Sequence, residues 1–96
     1  MRLISIYDIS GDSLRNKVAN RLKDYGMKRI QYSAFYGNLS VQQREELHEY
    51  LENLLEQGEE TDSILFFPIC SDCFQKSSSI GQVDLVTLEE LKLIFV

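Results

Sequence analysis

The chain has 96 residues, 44% hydrophobic and 26% charged, which fits one soluble globular domain and excludes a disordered polymer. Its longest apolar run is far too short for a membrane span, and two cysteines do not make a disulfide scaffold. The first residues lack the organisation of a signal peptide, so a cytoplasmic protein without membrane contact is expected.

Leu3 to Asp8 read as a strand with both faces largely apolar, interrupted by Ser5. The run Ile4-Ser5-Ile6-Tyr7-Asp8-Ile9-Ser10 ends on a carboxylate, and Gly11-Asp12-Ser13 then leads into a basic amphipathic segment. Leu14, Val18, Leu22 and Tyr25 recur at helical spacing, with Asp12 or Ser13 as N-cap and Gly26 as the C-terminal stop. Met27 to Phe35 are extended, either as one bent strand or as a tight hairpin around Gln31–Ser33, and Gly37-Asn38 closes the stretch. Ser40-x-x-Gln43 has the form of a capping box, and Leu47, Tyr50, Leu51, Leu54 and Leu55 make the stripe of a second helix that Gly58 ends. Ile64 to Ile69 is a second apolar strand, broken at Pro68 in a way that suits an edge or a strand end.

This order of elements predicts an α+β, ferredoxin-like βαββαβ sandwich with an extra C-terminal strand. Residues 1–96 then form one domain, with 79–96 as a tail packing on a partner protomer. Two helices cover only one face of such a sheet, yet Ile4–Ile9 and Ile64–Ile69 are apolar on both. A second copy packed sheet to sheet about a two-fold axis is the simplest cover, so a homodimer is expected.

The net charge of −5 argues, as an average, against a nucleic-acid partner. Its distribution argues otherwise. Six of the ten Lys and Arg residues lie between Arg15 and Arg29, where Asp24 is the only acid, and eight of the fifteen acids lie between Glu45 and Asp62. One face is then available to phosphates and another repels them, the alternative being two solvated helix faces.

Asp8 is the leading candidate for chemistry. A carboxylate at the end of a buried strand needs a metal, a cation or hydrogen bonds. In a two-fold dimer with facing sheets, Asp8 and its mate either share a proton or bind a divalent cation, and magnesium suits the latter. The alternative is a turn cap, with Asp8 bonding to the backbone near Ser10 or Gly11.

Tyr7-Asp8-Ile9 at the strand end, Arg15-x-Lys17-Val18 on the helix and Arg29-Ile30-Gln31-x-Ser33-x-Phe35 after it form a combination, with Pro68-Ile69-Cys70 and Cys73 near the end. Over residues 1 to about 81 this combination resembles the CRISPR-associated Cas-two family, the small dimeric subunit of the spacer-acquisition machinery. The resemblance implies a ferredoxin-like dimer and, as in some members, endonuclease activity on RNA or DNA. It implies that Asp8, one per chain, is the catalytic and metal-holding residue for magnesium (Mg2+) at the dimer interface. It implies nucleic-acid binding by Arg15 and Arg29, and by Lys17, which stands where arginine is also common and lacks the planar fork that grips phosphate. Tyr7, Ser33 and Phe35 match as support or nucleic-acid contacts, with simple packing the alternative for Phe35. A further implication is a partner, the Cas-one integrase, and a DNA-binding scaffold role that does not require cleavage.

Cys70-x-x-Cys73 with the lone His48 does not complete a tetrahedral zinc site in one chain. A thioredoxin-type centre needs the pair at a helix start, and a reduced pair at a strand end is expected instead. His48 reads as a solvated helix-flank residue. Tyr32, Phe35 and Tyr36 near Arg29 either stack on bases or pack. A ferredoxin-like small-molecule sensor is the remaining class, and no Gly-rich phosphate loop supports it.

Overall fold

The structure, a computed structural model, describes residues 1–81. Its elements are β1 (Arg2–Asp8), α1 (Asp12–Asp24), β2 (Lys28–Gln31), β3 (Ala34–Asn38), α2 (Val41–Leu55), β4 (Ser63–Ile69) and α3 (Ser71–Lys76). The strands form one antiparallel sheet in the order β2-β3-β1-β4. This is the expected ferredoxin-like α+β arrangement. The extra C-terminal strand and nearly all of the 79–96 tail fall outside the described residues.

Strand β1 lies between β3 and β4, and its alternation sends successive side chains to opposite faces. Leu3 and Tyr7 are buried with Leu14, Val18 and Leu22 of α1, Phe35 of β3, and Leu47, Leu51 and Leu54 of α2. Ser5 shares that side, fully buried, and its hydroxyl finds no hydrogen-bond partner among the described residues. Ile4, Ile6 and Asp8 belong to the opposite face, across from Phe67, Leu65 and Ser63 of β4. There Ile6, Leu65 and Phe67 remain 40%, 50% and 49% exposed. Among the described residues, cover on this face is confined to its far end, where Phe74 of α3 stacks on Tyr36 with ring centroids 5.1 Å apart.

Local signals explain most boundaries. Ser40 and Gln43 form the expected reciprocal capping box at the start of α2. Gly26 follows α1 with φ of +82°, a conformation that favours glycine. Pro68 is tolerated because β4 is an edge strand.

Three details differ from the sequence reading, and one open alternative is decided. Gly11, not Asp12 or Ser13, is the N-cap of α1, and it supplies no side-chain bond. Asp12 is instead the first helical residue and ion-pairs with Arg15, where its charge also suits the helix N-terminus. Of the two alternatives for the extended stretch the hairpin is the one observed, two strands turning at Tyr32-Ser33, with an irregularity between Arg29 and Gln31. Gly37 and Asn38 lie within β3 rather than closing it; a Cβ at Gly37 would stand 2.7 Å from Met27 Cγ, so the glycine lets Met27 pack on the strand. The helix α3 was not anticipated.

Candidate functional site

Asp8 is the last residue of β1, and its exposed side chain is on the sheet face that α1 and α2 leave uncovered. Its carboxylate forms no hydrogen bond or ion pair among the described residues. The turn-cap role is taken by another acid. Asp62, just before β4, accepts the Ser10 N–H (3.1 Å) and Ser10 hydroxyl (3.2 Å) on Oδ1, and the Glu59 N–H (2.9 Å) on Oδ2. These bonds hold the Asp62 carboxyl below the usual aspartate range, the Glu59 N–H contributing most. Gly58 makes room for this arrangement, because a Cβ there would collide with Asp62 and stand 2.7 Å from Leu14 Cδ2.

Arg15 secures the same turn from its other side. Its guanidinium donates to the carbonyl oxygens of Ile9 (3.1 Å) and Ser10 (3.5 Å) and pairs with Asp12. Asp62 thus engages the turn's donors while Arg15 engages its acceptors. The backbone immediately after Asp8 is fixed by two oppositely charged side chains, leaving the Asp8 carboxylate unengaged.

Lys17 is exposed and lines a shallow hollow of about 240 Å³ with Ser10, Ser13, Gln57 and Asp62. Arg29 is exposed on β2, its Cζ 5.1 Å from the Phe35 ring centroid and 5.8 Å from that of Tyr32. Phe35 is fully buried and Tyr7 nearly so, their rings 6.2 Å apart. These two pack beneath the site, which leaves them a supporting place rather than a contact surface. Ser33 is half-buried, and its carbonyl accepts the Tyr7 N–H at 2.9 Å.

The basic and acidic segments are neighbours rather than opposite faces, since α1 and α2 pack side by side. At their boundary Arg21 Cζ lies 3.8 Å from the Tyr50 ring centroid, and the hydrogen bond to Tyr50 raises the Arg21 pKa. His48 is exposed on α2, 3.6 Å from Glu52 and against the Phe66 ring, as its helix-flank reading anticipates.

The cysteine pair directly follows the end of β4, as expected, and also opens α3. Cys70 is the N-cap of α3, and its Sγ accepts the Cys73 N–H at 3.4 Å. That N–H pushes the Cys70 thiol below its usual range, while the hydrogen bond to Cys70 pushes Cys73 above it. The pair therefore sits at a helix start, in the first turn of a six-residue helix. No group of three or more His, Cys, Asp or Glu residues suited to a metal occurs among the described residues.

A family model described as CRISPR-associated protein Cas2 matches residues 1–77. The chain belongs to the Cas2 family. It is 43% identical over 82 residues to a Korarchaeum cryptofilum protein named CRISPR-associated endoribonuclease Cas2, covering 85% of this chain and 86% of that one. An Archaeoglobus fulgidus protein named CRISPR-associated endoribonuclease Cas2 1 is 32% identical over 91 residues, covering 95% of each chain. Among solved structures, Streptococcus pyogenes Cas2 superposes with a TM-score of 0.72 at 22% identity, covering 84% of this chain and all (100%) of the other; this shows the shared fold. No helix among the described residues is long and apolar enough to cross a membrane.

Proposed function

We propose that this Cas2-family chain is a magnesium-dependent, endonuclease-like protein of CRISPR spacer acquisition, acting on RNA or DNA phosphodiesters as a sheet-to-sheet homodimer. The observation that carries this reading is the unengaged Asp8 carboxylate on an uncovered apolar sheet face. Relatives named endoribonucleases support the reaction class. A second copy packed over Ile6, Leu65 and Phe67 removes their apolar surface from water. Because Asp8 shares that face, the same packing gives each chain's carboxylate a place on the dimer seam.

Magnesium fits this donor set, because it takes one or two carboxylates and retains several waters. When bound, it supplies charge neutralisation at the phosphate and a more acidic attacking water. The chain's own residues supply the rest. Asp8 holds the ion, Arg15 and Asp62 keep the following turn in place, and Lys17 and Arg29 draw the phosphate backbone. Tyr7, Ser33 and Phe35 support the hairpin beside Asp8.

Cleavage of RNA or DNA is expected only with a divalent ion. Asp8→Asn should lower it about 100-fold or more, the scale of losing one preorganised charge-stabilising group. Full cleavage by Asp8→Asn would remove Asp8 from the mechanism.

A second reading rests on the exposed Lys17, Lys28 and Arg29, which attract DNA without help from Asp8. In this reading the dimer is a non-catalytic scaffold bridging Cas-one integrase subunits. Integrase pull-down combined with spacer acquisition by Asp8→Ala separates the two: unaffected acquisition selects the scaffold.

A further inference from the structure

Cys70 and Cys73 are both free and exposed at the junction of β4 and α3. Packing does not account for them, because Phe74 supplies the buried contact of α3, against Tyr36. Capping does not account for sulfur either. Ser40 caps α2 with an oxygen that accepts the Gln43 N–H at 3.1 Å. Cys70 offers its Sγ, a weaker acceptor, to the Cys73 N–H at 3.4 Å. The two thiols also hydrogen-bond to each other, so both sulfurs stand within one turn. That turn is anchored from several directions. Arg2 Nη1 donates to Ser71 Oγ (2.6 Å), the Phe74 N–H to the Cys70 carbonyl (2.9 Å) and the Ser77 hydroxyl to the Cys73 carbonyl (2.8 Å). A metal does not explain the pair: a pair of thiols is half a tetrahedral set, and the described residues complete no such group.

We propose that Cys70 and Cys73 form a reversible dithiol–disulfide site, in which Cys70 attacks a disulfide of low molecular weight and Cys73 resolves the adduct. The roles follow from the hydrogen bonds. Cys70 Sγ receives the Cys73 N–H and the Cys73 thiol, and both favour its thiolate, the nucleophilic form. Cys73 donates into that contact and keeps its proton to higher pH. A small disulfide suits the site because both thiols are exposed and need no docking surface to be reached. In the first step a bond from Cys70 Sγ to one sulfur forms as the external S–S bond breaks, and the departing thiolate takes a proton from water. Cys73 then releases its proton to water and attacks the Cys70 sulfur, which closes the Cys70–Cys73 bond and expels the second thiol. The cysteine pair is oxidised and the external disulfide is reduced to its thiols. Ile69, next to Cys70, lies across from Arg2, whereas Asp8 lies across from Ser63 at the other end of β1 and β4. The exchange is therefore remote from Asp8 and does not depend on the nuclease reading.

The test equilibrates the reduced full chain with glutathione buffers of increasing oxidised fraction, then alkylates the thiols that remain. Wild type should lose both alkylation sites together, forming a disulfide within one chain that reduced glutathione reverses. Cys73→Ser lacks the resolving thiol and should accumulate glutathione on Cys70. Cys70→Ser should take up glutathione several-fold more slowly. In reduced wild type, Cys70 should alkylate ahead of Cys73 and keep its reactivity to lower pH. Wild type that keeps both thiols in excess oxidised glutathione, or ends as a stable glutathione adduct or a disulfide between chains, overturns the site. Equal glutathione uptake by Cys70→Ser and Cys73→Ser overturns the assignment of attacking and resolving sulfurs.

Discussion

On one side of the sheet, Leu3, Tyr7 and Phe35 are closed over by α1 and α2; on the other, Ile6, Leu65 and Phe67 stay 40–50% exposed. Both sides draw on the same strand, β1, whose alternate residues serve two purposes. The covered side holds the protomer together. The uncovered side carries Asp8 and is the face over which we propose that a second copy packs.

Substitutions on the two sides should therefore fail differently. The largest effect is expected for Phe35→Ala on the covered side. Removing a fully buried phenylalanine costs about 3–5 kcal/mol, read as a fall in the urea midpoint. Leu65→Lys on the uncovered side should leave the protomer's secondary structure intact and weaken self-association by about tenfold or more, measured by sedimentation. If Leu65→Lys unfolds the chain as Phe35→Ala does, the two sides do not differ in this way.

A third substitution probes the turn that follows Asp8. Because Asp62 is held below the usual aspartate range, its bonds stabilise the folded state fully above that range. The contribution is lost as the pH falls through the lowered value. The protection of the Ser10 amide, the slowing of its exchange relative to the intrinsic rate at the same pH, should fall on acidification, and Asp62→Ala should show the low protection already at neutral pH. A Ser10 amide indifferent to both would show that the turn is held some other way.

The smallest effect belongs to Ser5, whose buried hydroxyl lacks a partner among the described residues. Ser5→Ala should raise stability by about 1 kcal/mol, because it removes a desolvated polar group. A loss of stability would mean that the hydroxyl makes a bond worth keeping.

The contrast between the two sides also marks what the sequence reveals. Both strands being apolar on both faces implies that both faces are buried, one by the two helices and the other by a further partner surface. Ser40-x-x-Gln43, Gly26 and the Leu47–Leu51–Leu54 stripe are local signals, and the structure follows them. The hairpin stays ambiguous because its turn, Tyr32-Ser33, contains no Gly, Asn or Asp, the residues that mark a two-residue hairpin turn. The α1 N-cap misleads because the helix begins one residue earlier, with Gly11 as N-cap and Asp12 in the first turn, where its charge also suits the helix end. Helix α3 has too few residues for a periodic pattern to emerge.

At the candidate site, Asp8 stands out in sequence as a carboxylate ending an apolar run. Its freedom from the turn does not, because that depends on Asp62, which is 52 residues from Ser10 in the chain. In sequence Asp62 looks like the last member of an acidic run. Its one local hint is its position between Gly58 and the start of β4, where an aspartate commonly ties a turn. For Arg15, the bonds to the carbonyls of Ile9 and Ser10 that clamp the turn are equally illegible in sequence.

The shared carboxylate centre is tested most directly by counting bound ions. Manganese, which accepts the same oxygen ligands as magnesium and is visible by electron paramagnetic resonance, can be titrated into wild-type protein and Asp8→Asn. Wild type should bind one ion per two chains with Asp8→Asn binding none; one ion per single chain, or equal binding by the variant, would contradict a metal held between two copies of Asp8.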